Sequence, residues 1–211
     1  MRTLVFNGWA AGYEAWDLCT FEHDWLFSYV EQLDGLPEKI MDEFDDVLLV
    51  GFSMGGSTAL RMLLAYPEKV RGLVLVSSAV RMMEDPATGW KGLSKRRLLA
   101  LKAGTDLLFG DDPSPIYAPE SLARGLVYLE EVDLRAQLRA LVAERPELAS
   151  ALPVRIFQSE KDGIVRPQNM TLLKEIFPQA AVTVVPGTEH VLPITIPELI
   201  DAAVIGLQEE S

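Results

Sequence analysis

The sequence predicts an α/β fold in which a mostly parallel sheet is flanked by helices. Short apolar runs rich in β-branched residues alternate with stretches of helical periodicity, and this alternation is typical of βαβ units. The runs are almost entirely hydrophobic, as strands that are covered on both faces should be. The chain has 211 residues, of which 49% are hydrophobic, so it can bury the core of one domain.

Helical stretches separate the expected strands. The strands are expected at residues 3–6, 47–51, 72–77, 154–158 and 181–185. Between the first two, Leu36, Ile40 and Phe44 form a stripe at i, i+4 and i+8 that predicts a helix. A second helix is expected at 57–66, because Pro67 cannot continue it.

Residues 80–152 differ from the rest of the chain. They contain no convincing strand and several helical patterns, for which Ser94 and Asp133 are candidate N-caps. No repeat or linker indicates a second unit. We therefore expect a single domain, residues 1–211, with a helical cap insertion at about 80–152 between two core strands.

The overall charge argues against some partners. The chain has 31 acidic and 19 basic residues and a net charge of -12. Nucleic acids and anionic membranes repel such a surface, so neither is expected as a partner. The N-terminus shows no charged leader, and no apolar run reaches the roughly 18 residues of a membrane span. We expect a cytoplasmic, monomeric protein.

Cysteine and histidine are scarce. Cys19 is the one cysteine, which excludes an internal disulfide, and His23 and His190 are the two histidines. A zinc site would need carboxylates for most of its ligands. Because no glycine loop of the phosphate-binding type occurs either, we expect no metal and no cofactor.

The strongest chemical signal is Gly-Phe-Ser-Met-Gly at residues 51–55. It follows the apolar run 47–50 and precedes a stretch that can form a helix. In this context G-x-S-x-G predicts a sharp strand-to-helix turn that exposes the Ser53 hydroxyl as a nucleophile. A serine that merely capped a helix would leave both flanking glycines unexplained.

A serine nucleophile needs a base and a group that orients the base. His190 is the histidine downstream of Ser53, in a loop after the last expected strand, whereas His23 is expected to be structural or exposed.

The acid should follow a strand between the serine and the histidine. Asp162 meets this condition, just after the strand at 154–158. Glu160 and Asp85 remain alternatives, and an ordinary Asp-Gly turn would also explain Asp162.

Backbone amides are expected to hold a developing oxyanion. The Met54 amide follows the nucleophile directly, and the Trp9 amide lies after the first strand, where Gly8 allows close approach. Each such donor lowers the barrier of acyl transfer by about 3 kcal/mol.

Taken in order, these motifs resemble the α/β-hydrolase family, and the match extends through essentially the whole chain. The resemblance implies an α/β-hydrolase fold with a reduced N-terminus, because most relatives have a hairpin before the strand at 3–6. Asn7 stands where many relatives have histidine. The matching motifs are 6–9, 51–56, 66–70, 162–163 and 189–190.

Two segments of the chain resemble one particular group of esterases within that family. The Asn-Gly-Trp loop and residues 132–135 are similar to the pimeloyl-acyl-carrier-protein methyl ester esterases of biotin synthesis. The resemblance implies a serine carboxylesterase with Ser53, His190 and Asp162 as its catalytic residues and no cofactor. The alternatives are a general short-chain esterase or thioesterase and a catalytically silent hydrolase-fold binding module.

The expected substrate is a small-molecule or carrier-bound ester, and an acyl carrier protein is a possible partner. A basic run in the cap, on an otherwise acidic chain, is either a solvated helix face or a surface that docks such a partner. It comprises Lys91, Lys95, Arg96, Arg97 and Lys102. The candidates to line the substrate channel are Trp9, Trp90, Phe109, Tyr117 and Tyr128. At helical spacing, the last four are more often plain core residues.

Overall fold

A parallel sheet forms the centre of the molecule. The computed structural model describes residues 1–109, 112–187 and 189–210, and Phe109 through its backbone only. In that part of the chain the sheet has six strands in the order β2-β1-β3-β4-β5-β6, and every neighbouring pair is parallel. The strands are β1 (Arg2–Phe6), β2 (Trp25–Phe27), β3 (Val47–Phe52), β4 (Val70–Val76), β5 (Val154–Ser159) and β6 (Ala181–Val185).

Helices cover both faces of the sheet. A short 3-10 helix, Tyr13–Trp16, follows β1. The α-helices are α1 (Tyr29–Leu33), α2 (Leu36–Met41), α3 (Met54–Ala65), α4 (Lys95–Phe109), α5 (Pro119–Glu131), α6 (Arg135–Glu144), α7 (Pro146–Ala151), α8 (Gln168–Ile176), α9 (Leu192–Thr195) and α10 (Pro197–Glu209). Among the described residues no helix combines the length and the apolar character that crossing a bilayer requires.

Alternation along the strands builds two apolar layers. Leu4 and Leu49 belong to the layer that α3 and the cap helices cover, whereas Val5 and Val50 belong to the layer against α10. Successive residues of a strand point to opposite faces, so an all-apolar strand contributes to both layers. This explains why the strand at 47–51 reads as an unbroken hydrophobic run.

The expected α/β fold is confirmed, and one strand was not expected. β2 is three residues long and pairs in parallel with β1 at the sheet edge. Phe27 is fully buried and stacks on Phe6 with ring centroids 5.1 Å apart, but Trp25 is 39% exposed. A short edge strand beside acidic residues has too little hydrophobic pattern to predict a strand.

Two helix boundaries differ from the expected ones. The helix expected at 57–66 begins earlier, at Met54, directly after the turn at Ser53. α2 ends at Met41, so Phe44 lies beyond the helix that its spacing predicted. In both cases the apolar periodicity identifies the helix but not its ends.

The segment at 80–152 contains α4, α5, α6 and α7 and, among its described residues, isolated bridges rather than strands. The Ser94 hydroxyl accepts the Arg97 amide at 3.4 Å, as a capping residue does. Asp133 lies one position before the N-cap of α6, which is Leu134, and accepts the Arg135 amide at 3.3 Å.

An ionic network fastens the start of this segment to α6. Arg81 contacts Asp133 at 2.5 Å, and Arg135 contacts Asp133 and Asp85 at 2.8 and 3.0 Å. The bidentate geometry of Arg135 favours a single arrangement of these elements. The network therefore ties the first loop of the cap to its third helix.

Candidate active site

Ser53 is the turning point between β3 and α3. Its φ is +55° and its ψ is -117°, which is a strained conformation for a residue with a side chain. The residue is buried, with only 6% of its surface exposed. This conformation presents the hydroxyl at the C-terminal end of the strand and at the N-terminus of the helix.

The glycines around Ser53 are required for close packing rather than for backbone freedom. A Cβ on Gly51 would lie 2.5 Å from the Gly56 Cα, and a Cβ on Gly55 would lie 2.0 Å from the Phe6 carbonyl oxygen. At Gly56 a Cβ would lie 1.8 Å from the Ser78 Oγ. The strain of the turn therefore falls on Ser53, while the glycines let α3 pack against β1 and the β4 end.

The loop after β6 brings an imidazole to the serine. His190 Nε2 lies 2.9 Å from Ser53 Oγ, and His190 Nδ1 lies 2.8 Å from Asp162 Oδ2. Both distances are within normal hydrogen-bond range. Three residues from the ends of β3, β5 and β6 are thus joined in one hydrogen-bonded chain at the C-terminal edge of the sheet.

Asp162 is fully buried, and its carboxylate is well supplied with donors. Oδ1 accepts the amides of Ile164 and Val165 at 2.7 and 3.0 Å. Oδ2 accepts Gln158 Nε2 at 3.2 Å in addition to the histidine contact. A buried carboxylate is stable as an anion only with such donors.

The rival acids and the second histidine lie elsewhere. Glu160 is exposed, and Asp85 is engaged with Arg135 in the cap network. His23 is exposed beside the N-terminal residues, with its ring 6.1 Å from that of Phe21. His190 contacts Asp162, and none of these three has a described contact with Ser53.

Asn7 organises the loop after β1. Its Nδ2 donates to the carbonyls of Ala11 and Gly12 at 3.1 and 2.6 Å, and its Oδ1 accepts the Gly8 amide at 2.9 Å. The residue is completely buried. Because one side chain connects the beginning and the end of the turn, it fixes the course of the intervening backbone.

This loop lies against the serine. A Cβ on Gly8 would lie 3.2 Å from the Ser53 Cβ, so a larger residue would push the loop away. The indole of the next residue, Trp9, donates to the Leu122 carbonyl of α5 at 3.2 Å. On the other side of the serine, Met54 begins α3, and the first amides of a helix have no acceptor within it.

Two small cavities open beside Ser53 and His190, and both are bounded by Trp9 and Ala10. The first measures about 180 Å³ and has an apolar wall from the cap. Apart from the shared residues, its lining consists of Met82, Leu93, Leu98, Leu101, Thr105, Leu129 and Ile164. Its surface suits an uncharged aliphatic group.

The second cavity measures about 230 Å³ and reaches toward the 3-10 helix. Tyr117, Val191 and Ile194 line it, as does Glu14, its one acidic lining residue. Burial, followed by the charges of Glu14 and Asp112, raises the pKa of Tyr117, which keeps its hydroxyl protonated.

Of the aromatic residues expected in the channel, Trp9 and Tyr117 line these cavities. Trp90 and Tyr128 line neither; Trp90 belongs to the hydrophobic core and Tyr128 packs against it, which is the alternative that their spacing left open. The Trp90 indole packs under Arg135, 5.1 Å from its guanidinium carbon, and Tyr128 packs against Arg61 of α3 at 5.7 Å. The Phe109 side chain lies outside the described residues.

The basic run of the cap, from Lys91 to Lys102, lies around the N-terminal half of α4. Lys95 contacts Glu130 at 3.4 Å and Lys102 contacts Asp106 at 2.5 Å, so each is partly neutralised. Lys91, Arg96 and Arg97 are exposed. Charge is therefore concentrated near the arginines rather than spread over the whole run.

Two residues at the end of β5 support the candidate site but were not predicted from the sequence. The buried Ser159 hydroxyl donates to the Glu189 carbonyl, directly before His190, and Gln158 donates to Asp162. A polar pair at the end of an apolar strand, just before a candidate acid, is the signal that could have identified them.

The described residues contain no cluster of three or more potential metal ligands.

Comparison with known proteins agrees with this architecture. A model of the alpha/beta hydrolase family matches residues 8–202, so the chain belongs to that family. It is similar to a hydrolase from Oleispira antarctica (TM-score 0.73, 15% identity, 100% of this chain and 92% of that one). It is also similar to a bromoperoxidase from Bacillus anthracis (TM-score 0.70, 17% identity, 99% and 92%), and at such identities the likeness concerns the fold alone.

Sequence relatives include esterases. A pimeloyl-[acyl-carrier protein] methyl ester esterase of Shewanella woodyi is 28% identical over 54% of this chain and 52% of that protein. The protein of the same name from Legionella pneumophila (strain Corby) is 26% identical over 84% and 82%. Lipase 1 of Psychrobacter immobilis is 27% identical over 67% and 49%. The chain thus spans about half the length of the first and third of these relatives.

Proposed function

We propose that the protein is a serine carboxylesterase that hydrolyses carboxylic esters through an acyl-enzyme. The observation that carries this proposal is the hydrogen-bonded chain from Ser53 through His190 to Asp162, with distances of 2.9 and 2.8 Å. It occurs at a strained strand-to-helix turn beside two cavities, where a structural serine would have no need of an aligned imidazole.

In the first half of the reaction, Ser53 Oγ attacks the ester carbonyl carbon and its proton passes to His190 Nε2. Asp162 stabilises the imidazolium that forms. The carbonyl oxygen becomes an oxyanion that accepts hydrogen bonds from the Met54 and Trp9 amides. The tetrahedral intermediate then loses the alcohol, which takes its proton from His190, and the acyl group stays on Ser53.

In the second half, water attacks the acyl-enzyme. His190 accepts a proton from the water, a second oxyanion forms in the same position, and the bond to Ser53 Oγ breaks. The serine oxygen recovers its proton from His190. The carboxylic acid leaves, and the resting enzyme is restored without any further reactant.

A fluorophosphonate probe and a p-nitrophenyl ester test this mechanism together. We expect the probe to label the wild-type protein on Ser53, and p-nitrophenyl butyrate to give a burst of one p-nitrophenol per chain. Ser53→Ala should remove labelling and lower kcat at least about a thousandfold. The exposed Ser150, whose hydroxyl faces the carbonyls of its own helix, provides Ser150→Ala as a control that should retain both.

Labelling of Ser53→Ala at the wild-type rate would remove Ser53 from this role. A protein that folds normally but shows neither burst nor labelling would instead be a catalytically silent binding module.

For the substrate, we propose the methyl ester of a carrier-bound pimeloyl chain, because several of the relatives have this activity in their names. The apolar cavity suits a methylene chain, and its alternative occupant is the acyl group of a general short-chain ester or thioester. The small volumes of both cavities favour short substituents close to the ester bond.

A docking surface for an acyl carrier protein is proposed on α4. Its inner side lines the apolar cavity through Leu98 and Leu101, whereas its outer side exposes Leu107 and Leu108 at 86% and 74%. Arg96 and Arg97 lie at the start of the same helix. A strongly acidic carrier would be attracted to the arginines and would bring its acyl chain to the cavity.

A further inference from the structure

Gln158 is a buried amide at the end of β5, with 1% of its surface exposed. Its Nε2 donates to Asp162 Oδ2 at 3.2 Å and to the Val165 carbonyl at 3.1 Å. A longer contact, 3.4 Å, joins it to the Ser159 carbonyl. Because all three partners are acceptors, the amide nitrogen, not the amide oxygen, must face the carboxylate.

The same carboxylate oxygen serves His190. Its Nδ1 lies 2.8 Å from Asp162 Oδ2, so Gln158 and the imidazole share one carboxylate oxygen. The other oxygen is already occupied by two backbone amides. A second donor on Oδ2 draws negative charge away from the imidazole, which reduces the stabilisation of the protonated ring.

The Val165 carbonyl explains why the amide is held in this orientation. It anchors Nε2 from the turn that also supplies amides to Asp162, so Gln158 and the carboxylate move as one unit. Gln158 lines neither cavity, and substrate therefore has no access to it in the described structure.

We propose that Gln158 is a positioning residue that holds Asp162 in line with His190 and shares the carboxylate oxygen that the imidazole contacts. The proposal deepens the esterase function above and rests on it for the catalytic consequence. It concerns proton affinity at the His190 ring, which is measurable whether or not the protein turns over an ester.

Other charged or titratable groups face the same region and stay constant in the test. A Cβ on Gly163, next to Asp162, would lie 3.5 Å from an Arg97 guanidinium nitrogen. Glu14 and Tyr117 line the cavity beside His190. Their contributions to the proton affinity of His190 are shared by wild type and variants, so a difference between proteins isolates Gln158.

NMR titration of the histidine rings provides the direct test, because the chain contains only two histidines. His23→Gln identifies the His190 signal. We expect Gln158→Met to raise the titration midpoint of His190 by about 0.5 pH unit. The low-pH limb of the kcat/KM profile for p-nitrophenyl butyrate should move by the same amount, with kcat reduced about tenfold and KM changed less than about twofold.

Gln32→Met is the matched control. Gln32 is also buried, and its Nε2 donates to the Asn7 and Phe27 carbonyls at 2.9 and 3.3 Å, away from Asp162. Its loss should leave the His190 midpoint unchanged. If Gln158→Met folds poorly, Gln158→Asn keeps the amide but cannot reach Asp162, and it should raise the midpoint in the same direction.

The two proposals fail differently. An unchanged His190 midpoint in folded Gln158 variants, or an equal shift in Gln32→Met, overturns the positioning role. A raised midpoint in a protein that never hydrolyses esters supports the electrostatic role of Gln158 and counts against the esterase function.

Discussion

Gly55 and Phe6 are in such close contact that a Cβ at position 55 would lie 2.0 Å from the Phe6 carbonyl oxygen. The obstacle is the backbone of β1, which is paired on both sides and cannot rotate away as a side chain could. We expect Gly55→Ala to lower the free energy of unfolding by about 3 kcal/mol or more, as urea denaturation would measure.

Gly104 is the matched control for that substitution. It lies within α4, and a Cβ there would meet no atom within 4 Å. Gly104→Ala should raise the stability by about 0.5 to 1 kcal/mol, because alanine favours the helix. Equal effects of the two substitutions would contradict the packing argument.

Asn7 provides a test of the loop that carries the Trp9 amide. Asn7→Leu removes the bonds to the Ala11 and Gly12 carbonyls and to the Gly8 amide. We expect kcat to fall about a hundredfold with KM nearly unchanged, since the amide then misses the oxyanion. Stopped-flow measurement of the acylation burst would locate the loss in the acylation step, and a normal burst rate would exclude this role for Asn7.

The Asp133 network makes the stability depend on pH. Burial by itself would raise the pKa of Asp133, but hydrogen bonds from Arg135 and Arg81 outweigh it and lower the pKa. A lowered pKa in the folded state stabilises the fold above the unfolded pKa, near 3.9, and this contribution disappears as the pH falls through the folded value.

Asp133→Asn should therefore cost about 1 to 2 kcal/mol at pH 7, and the stabilities of wild type and variant should begin to converge below about pH 4 and become equal only below the folded-state pKa of Asp133. Urea denaturation at several pH values measures this convergence. Glu68→Gln removes an exposed carboxylate 3.9 Å from Arg145 and should have little effect at either pH. A pH-independent difference for Asp133→Asn would contradict the ionic explanation.

The docking surface on α4 is tested by charge reversal. Arg96→Glu and Arg97→Glu should each lower kcat/KM for a carrier-bound ester about tenfold at low salt, and the effect should shrink as salt rises. For Arg96→Glu, activity on p-nitrophenyl butyrate should change less than about twofold, whereas Arg97 lies close to Asp162 and its variant is compared through the salt dependence alone. Arg139→Glu, on α6 beside Glu175 at 3.8 Å, makes the same charge change elsewhere and should spare both substrates. Equal losses with both substrates would remove the docking role.

Most of the fold followed from the sequence because its strands are buried on both faces. An unbroken apolar run such as 47–51 is favourable only in a strand that is covered on both faces, because any other position would expose it to water. Ser53, His190 and Asp162 are likewise predictable from the sequence, because a glycine-flanked serine and a single downstream histidine leave few alternatives.

The other features of the site depend on contacts between elements that lie far apart in the sequence, which local sequence patterns do not reveal. Trp90 and Tyr128 have the size expected of channel residues, yet Arg135 and Arg61 draw them to other surfaces. Gln158 can contact Asp162 only because the turn after β5 folds back over the Gln158 side-chain amide. Helical spacing describes one element at a time, whereas these roles arise between elements.

Trp9 belongs to two parts of the molecule at once. Its indole is bonded to the Leu122 carbonyl of α5, and its ring lies so close to Gly125 that a Cβ there would be 2.3 Å from the ring carbon Cδ1. Any outward swing of α5 must break these contacts or drag the Trp9 backbone with it. In the proposed esterase, an opening of the cap that admits a bulky ester would therefore displace the amide proposed to hold the oxyanion, so reaction would wait until the cap closed again.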